Sequence, residues 1–201
     1  MIWVILYDIP NTSEQFEVSL SPISDVIDST YPTATKSSSN ITWKGEYTTE
    51  DNGHCKLTVE HRQYMFLFYT TLPLGPFTYS AQIVILNGKT YLEEFEKLVS
   101  KFGLNTTESN DMVTNWTIEM SQSKYTALTL FDNSVDTFIP LSVKGFTQKH
   151  RVLIGIESIN QEQLDSLRSQ NKISQIDDIQ QRVRPTGKYV VEWGGVETHF
   201  Y

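Results

Sequence analysis

Apolar residues recur at a spacing of two along most of the chain, the mark of strands with one buried face. Phe16, Val18 and Leu20 alternate in this way. So do Ile41, Trp43 and Tyr47, and then Cys55, Leu57, Val59 and His61. Asn52-Gly53 stands between the last two runs and predicts a hairpin. Two runs, Ile2–Tyr7 and Tyr64–Tyr69, are apolar throughout and predict strands covered on both faces. The run Phe77–Leu86 alternates at first and then becomes fully apolar. Further strands are expected at Trp116, Ile118 and Met120, at Tyr125–Phe131, at Phe138–Val143 and at Arg151–Glu157.

Spacings of three and four appear in fewer places. Leu92, Phe95, Leu98, Val99 and Phe102 form one apolar stripe. Thr90 and Glu93 predict a capping box before that stripe, and Gly103 a stop after it. A second helix is expected after Asn160, boxed by Gln163 and stapled by Ile159 onto Leu164. A third, Ser174–Val183, would present Ile176, Ile179 and Val183 before Arg184-Pro185 ends it. The polar stretch Ser29–Asn40, with Pro32 and three consecutive serines, reads as a loop. The last residues, 188–201, read as a hairpin turning at Gly194-Gly195.

These elements predict a strand-dominated α+β fold with antiparallel sheets and two or three short helices. The expectation is a single body, 1–201. An internal rhyme also points to two similar β-β-β-α lobes, 40–104 and 113–173, followed by the terminal hairpin 188–201: one common offset pairs Ile85 with Ile154, Phe95 with Leu164 and Leu98 with Leu167.

Composition narrows the function. With 201 residues the chain can bury a substantial core. Aromatic residues reach 12%, which favours strands and rules out a disordered composition. The net charge of -8 and the absence of a long Lys/Arg cluster disfavour nucleic acid as a partner. Cys55 stands alone, so no intramolecular disulfide forms. The apolar run Ile2–Tyr7 is too short for a leader or a membrane span, and the reading is a soluble, intracellular, cytoplasmic chain.

Candidate chemistry is sparse. The chain has no dinucleotide or phosphate-binding glycine motif, no nucleophile elbow and no zinc-type Cys or His pairing. No cofactor is expected. Asp8 ends a buried strand, a place where a carboxylate can serve a divalent cation in a hydrolase or nuclease. Cys55 and His61 share a strand face, with His54 and Glu60 close by. In the expected terminal hairpin Glu192 opposes Glu197, and His199 shares their face, giving a candidate metal site of Glu192, Glu197 and His199. The expected function is a non-enzymatic protein-binding or assembly component, part of a complex or a viral structure. A divalent-metal hydrolase using Asp8 or Glu192/Glu197 is one alternative, and a small-ligand β-barrel another.

Overall fold

The computed structural model describes residues 1–23, 26–38, 40–72, 82–131 and 135–198. In chain order the elements begin with β1 (Ile2–Tyr7), β2 (Ser13–Leu20), β3 (Ile27–Tyr31), β4 (Thr35–Ser37), β5 (Asn40–Thr49), β6 (Cys55–Val59), β7 (Arg62–Tyr64), β8 (Leu67–Thr71) and β9 (Gln82–Asn87). Then follow α1 (Tyr91–Val99), α2 (Thr106–Ser121), β10 (Tyr125–Leu130), α3 (Val135–Phe138), β11 (Leu141–Val143), β12 (Gln148–Ile159), α4 (Gln161–Ser169) and β13 (Tyr189–Glu197). Strands outweigh helices, as the pattern predicts for an α+β chain.

The chain divides into two compact units, each assembled from three stretches. The first comprises Met1–Leu72, Asn133–Val152 and Pro185–Gly194; the second Pro73–Asp132, Leu153–Arg184 and Gly195–Tyr201. In the first unit β3, β8, β1 and β13 lie side by side, and a second sheet runs β11-β2-β5-β6-β7 with β4 against β5. Ile2, Val4 and Leu6 alternate along β1, and Val18, Leu20, Tyr47 and Leu57 belong to the second sheet; all are fully buried in this unit's core. The predicted hairpin is present, with Thr49 opposite Cys55 and Gly53 at φ +82° in the left-handed region glycine tolerates. Its tip reaches β1, where the Asp8 amide donates to the Gly53 carbonyl at 2.9 Å.

In the second unit β9, β10 and the C-terminal half of β12 pair antiparallel. Ala127, Ile83 and Ile159 pack with Leu164 and Leu167 of α4, so the expected staple is part of a real cluster. The α4 cap is as predicted: Asn160 Oδ1 accepts from the Gln163 amide and Gln163 Oε1 from the Asn160 amide. Helices α1 and α2 pack on each other; the first ends at Val99 with Ser100 as its cap, and Gly103, the expected stop, lies three residues further on at φ +69°.

Several expectations are corrected. Trp116, Ile118 and Met120 lie on a helix, not a strand. Met112, Trp116 and Met120, four apart, are buried, whereas Ile118 is 69% exposed. The overlooked signal is a capping box at Asn105 and Glu108. The box expected at Thr90 does not form; the Thr90 hydroxyl donates instead to Glu94 at 2.9 Å. Ser29–Asn40 is not one loop, because β3 ends and β4 begins within it; both strands are mostly exposed, so they lack an apolar alternation. Phe138 belongs to α3, and only Leu141–Val143 of its segment is strand. Ser174–Val183 holds a single 3-10 turn, Ile176–Asp178. Its main chain is satisfied from outside instead: Lys101 Nζ donates to the Asp177 and Ile179 carbonyls, and the Arg182 amide donates to the Lys101 carbonyl. Residues 77–81 of the Phe77–Leu86 run lie outside the described residues.

The terminal hairpin is also corrected. Residues 189–197 form one strand through both glycines. Its partner is β1, with Gly194 opposite Ile2, Trp193 opposite Trp3 and Tyr189 opposite Tyr7. The glycines serve close approach rather than a turn. A Cβ at Gly194 would overlap the Met1 carbonyl, and one at Gly195 would lie 2.6 Å from the Trp116 ring.

Candidate functional site

Two buried charge centres lie in the first unit. Asp8 sits just past β1 and is 5% exposed. Its carboxylate accepts from the Tyr47 hydroxyl at 2.5 Å, the Ile9 amide at 2.7 Å and Lys188 Nζ at 3.0 Å. Lys188 also donates to Glu14 at 2.6 Å and to the Tyr47 hydroxyl at 2.9 Å, and it lies over the Phe146 ring. Burial pushes the Asp8 pKa up, but the bonds from Tyr47, Lys188 and Ile9 outweigh it and hold the carboxyl below its ordinary value. Burial and the bond to Asp8 push the Tyr47 phenol up. Lys188 also rises: its bonds to Glu14, Tyr47 and Asp8 overcome desolvation. Every member is thus fixed in its ordinary charge state at neutral pH. A general base or nucleophile needs the opposite, a pKa drawn toward neutrality.

The second centre is deeper. Glu192 is fully buried, opposite Val4 in the register. One oxygen accepts from the Tyr69 hydroxyl at 2.9 Å and the other from Arg151 Nε at 2.5 Å. Arg151 extends the chain to Asp136 at 2.5 Å. Burial and the Glu192 charge push the Tyr69 phenol well up. Glu192 therefore has a guanidinium where the hairpin reading placed a second carboxylate. Glu197 lies on the same strand, five residues further on. It is exposed, and together with burial it raises the pKa of Glu119. His199 lies outside the described residues.

The Cys55/His61 expectation separates. Cys55 is fully buried, and desolvation pushes its thiol up to about 12. His61 is exposed, in the turn between β6 and β7 at φ +66°. His54 reaches the Met65 carbonyl at 2.9 Å. No group of three metal-ligating side chains converges among the described residues.

One face of the first unit carries a different feature. Register places Tyr31 beside Phe68, Phe68 beside Trp3, and Trp3 beside Trp193, a row across β3, β8, β1 and β13. Trp3 and Trp193 stack at 4.4 Å with an interplanar angle of 10°; Phe68 meets Trp3 edge-on at 5.1 Å. Trp193 is buried, Trp3 and Phe68 are half-buried, and Tyr31 is 56% exposed. The row thus rises from the interior to an open aromatic surface.

No family model, curated protein or solved structure matches this chain. Its site has to be read from its own geometry. Sequence reasoning missed Lys188, Tyr47, Arg151 and Tyr69, because their partners lie far away along the chain. The only available signal was that a buried Asp8 needs a cation or donors nearby. No helix among the described residues is long and apolar enough to cross a membrane.

Proposed function

We propose that this chain is a non-enzymatic protein-binding or assembly component. The observation that carries the reading is the aromatic row Tyr31–Phe68–Trp3–Trp193, which leaves half-buried rings and one exposed ring together on one sheet face. Aromatic residues are enriched at the centres of protein interfaces, and contiguous exposed apolar surface marks contact sites. The faces of Trp3 and Trp193 are spent on each other. Packing against apolar side chains suits this row, whose inner rings already stack or meet edge-on. The charge of -8 disfavours a polyanion. The locked charge states of Asp8, Lys188 and Arg151 fit a scaffold better than a hydrolase.

Size-exclusion chromatography with light scattering, on the chain purified from its native source, tests this. The expected result is a mass above that of the monomer, or a co-purifying protein, lost in the double variant Tyr31→Ser/Phe68→Ser while its circular dichroism stays intact. A strict monomer with no partner overturns the reading. So does a thermal shift with Mg²⁺ or Mn²⁺ accompanied by phosphodiester hydrolysis.

A further inference from the structure

The second unit holds a cleft of about 600 Å³ beside β9, within the range of ligand-binding pockets. One wall comes from α1 through Glu93 and Glu94, the other from α4 through Leu164 and Arg168; Ile85 and Ile173 line it between them. β9 is an edge strand, paired on one side with β10. Its outer side is partly occupied. The Ile83 carbonyl accepts from the Ser174 amide at 2.7 Å, and the Asn87 amide donates to Glu94 at 3.0 Å. Gly88, by contrast, donates to Lys124 on the β10 side. Main-chain groups alternate in direction along a strand, so the N–H and C=O of Ile85 point outward with those of Ile83 and Asn87. No other described residue bonds the Ile85 main chain on that side.

The segment that follows Ile173 starts as an added parallel strand and leaves the edge after Ser174, one step before Ile85. The charges along the cleft are unevenly matched. Lys97 is held by Asp177 at 2.7 Å and Arg168 by Asp165 at 3.4 Å. Glu93 has no ion-pair partner among the described residues, and Glu94 accepts only from the Asn87 amide and the Thr90 hydroxyl. The rim is therefore acidic and the floor apolar, with one unpaired strand position at its centre.

We propose that this cleft takes an extended peptide segment of a partner protein, added to the β9 edge at Ile85. Side chains alternate across such a segment, so an apolar residue would meet Leu164 and Ile173 while its basic neighbours face Glu93 and Glu94. The occupant is a β-strand-forming segment of alternating apolar and basic residues. The site involves none of the aromatic residues of the first unit, so either proposal can fail without the other.

The probe is a fluorescein-labelled, end-blocked Val-Lys-Val-Lys-Val peptide, whose central valine would lie opposite Ile85 in an antiparallel addition, with anisotropy as the readout on the full chain. Two controls are Val-Glu-Val-Glu-Val and the basic peptide N-methylated at its central valine. Saturable binding of the basic peptide is expected. Central methylation should weaken it about fivefold, the size of one lost main-chain hydrogen bond. Glu93→Lys, an exposed change whose fold is checked by circular dichroism, should weaken it about threefold, as expected for a rim charge. Amide shifts centred on Ile85 and Ser174 in the presence of the peptide support the site. Absence of binding at millimolar peptide overturns the proposal. Equal affinity for the acidic and basic peptides, or no effect of central methylation, does so as well.

Discussion

Removing the guanidinium of Arg151 is the sharpest perturbation of the core. Arg151→Met leaves Glu192 fully buried with, among the described residues, only the Tyr69 hydroxyl on its carboxylate. At an effective dielectric of about 20, an ion pair at 4 Å is worth about 4 kcal/mol. Loss of one partner of a buried pair costs about 3–5 kcal/mol, because an uncompensated charge stays inside. For a chain of this size each kcal/mol lowers the melting temperature by about 2–4 °C, so Arg151→Met should fall by about 6–20 °C. Glu192→Met should cost less, because Arg151 keeps Asp136 at 2.5 Å. The double variant Arg151→Met/Glu192→Met should be more stable than Arg151→Met alone. It retains the loss of the Arg151 pair with the part-exposed Asp136 and the cost of the Tyr69 hydroxyl left without its acceptor, about 1–3 kcal/mol; adding Tyr69→Phe should remove the second. Thermal denaturation of the four variants completes the cycle. A loss under about 1 kcal/mol for Arg151→Met, or simple additivity of the two single changes, would refute the coupling argued here.

Three further outcomes follow from the same reasoning. Asp8 and Glu14 both have lowered pKa values in the folded state, so the stability they contribute is complete above their unfolded values near 4 and fades as pH falls through the folded ones. Lys188→Met should cost about 1–3 kcal/mol at neutral pH and flatten the loss of stability below pH of about 4; acid melts of both proteins check it. Cys55, with its thiol pushed up to about 12 and no exposure, should resist thiol reagents at neutral pH until the chain is unfolded, as labelling with and without denaturant reports. Gly195→Ala should destabilise by about 1–3 kcal/mol, because a Cβ there would lie 2.6 Å from the Trp116 ring; Gly187→Ser meets no neighbouring atom but should still cost about 1 kcal/mol, because Gly187 holds φ +82°.

Strands were legible wherever one face was buried and the other wet. β2, β5 and β6 lie where the alternation puts them, and α4 carries both halves of its predicted box. The pattern failed where two periods shared the same residues. Trp116 and Met120 satisfy a spacing of two through Ile118 and a spacing of four through Met112, and only the buried Met112 decides between them. It failed again at Gly194-Gly195. Two glycines admit a turn, but they also admit the close approach of Met1 and Trp116, which long-range pairing selects. The charge centres were illegible for the same reason. Lys188 meets Glu14, and Arg151 meets Glu192, only after distant strands align. The aromatic row was visible as composition but not as a surface, because its order comes from the register of four strands.

The most direct test of the protein-binding reading is photo-crosslinking from a benzophenone side chain placed at position 31, with position 44 as the control. Tyr31 ends the aromatic row, and Lys44 is exposed on β5, in the other sheet of the same unit. A discrete intermolecular adduct from position 31 and none from position 44 is predicted. Identical patterns from the two positions, or no adduct from position 31, would contradict the account.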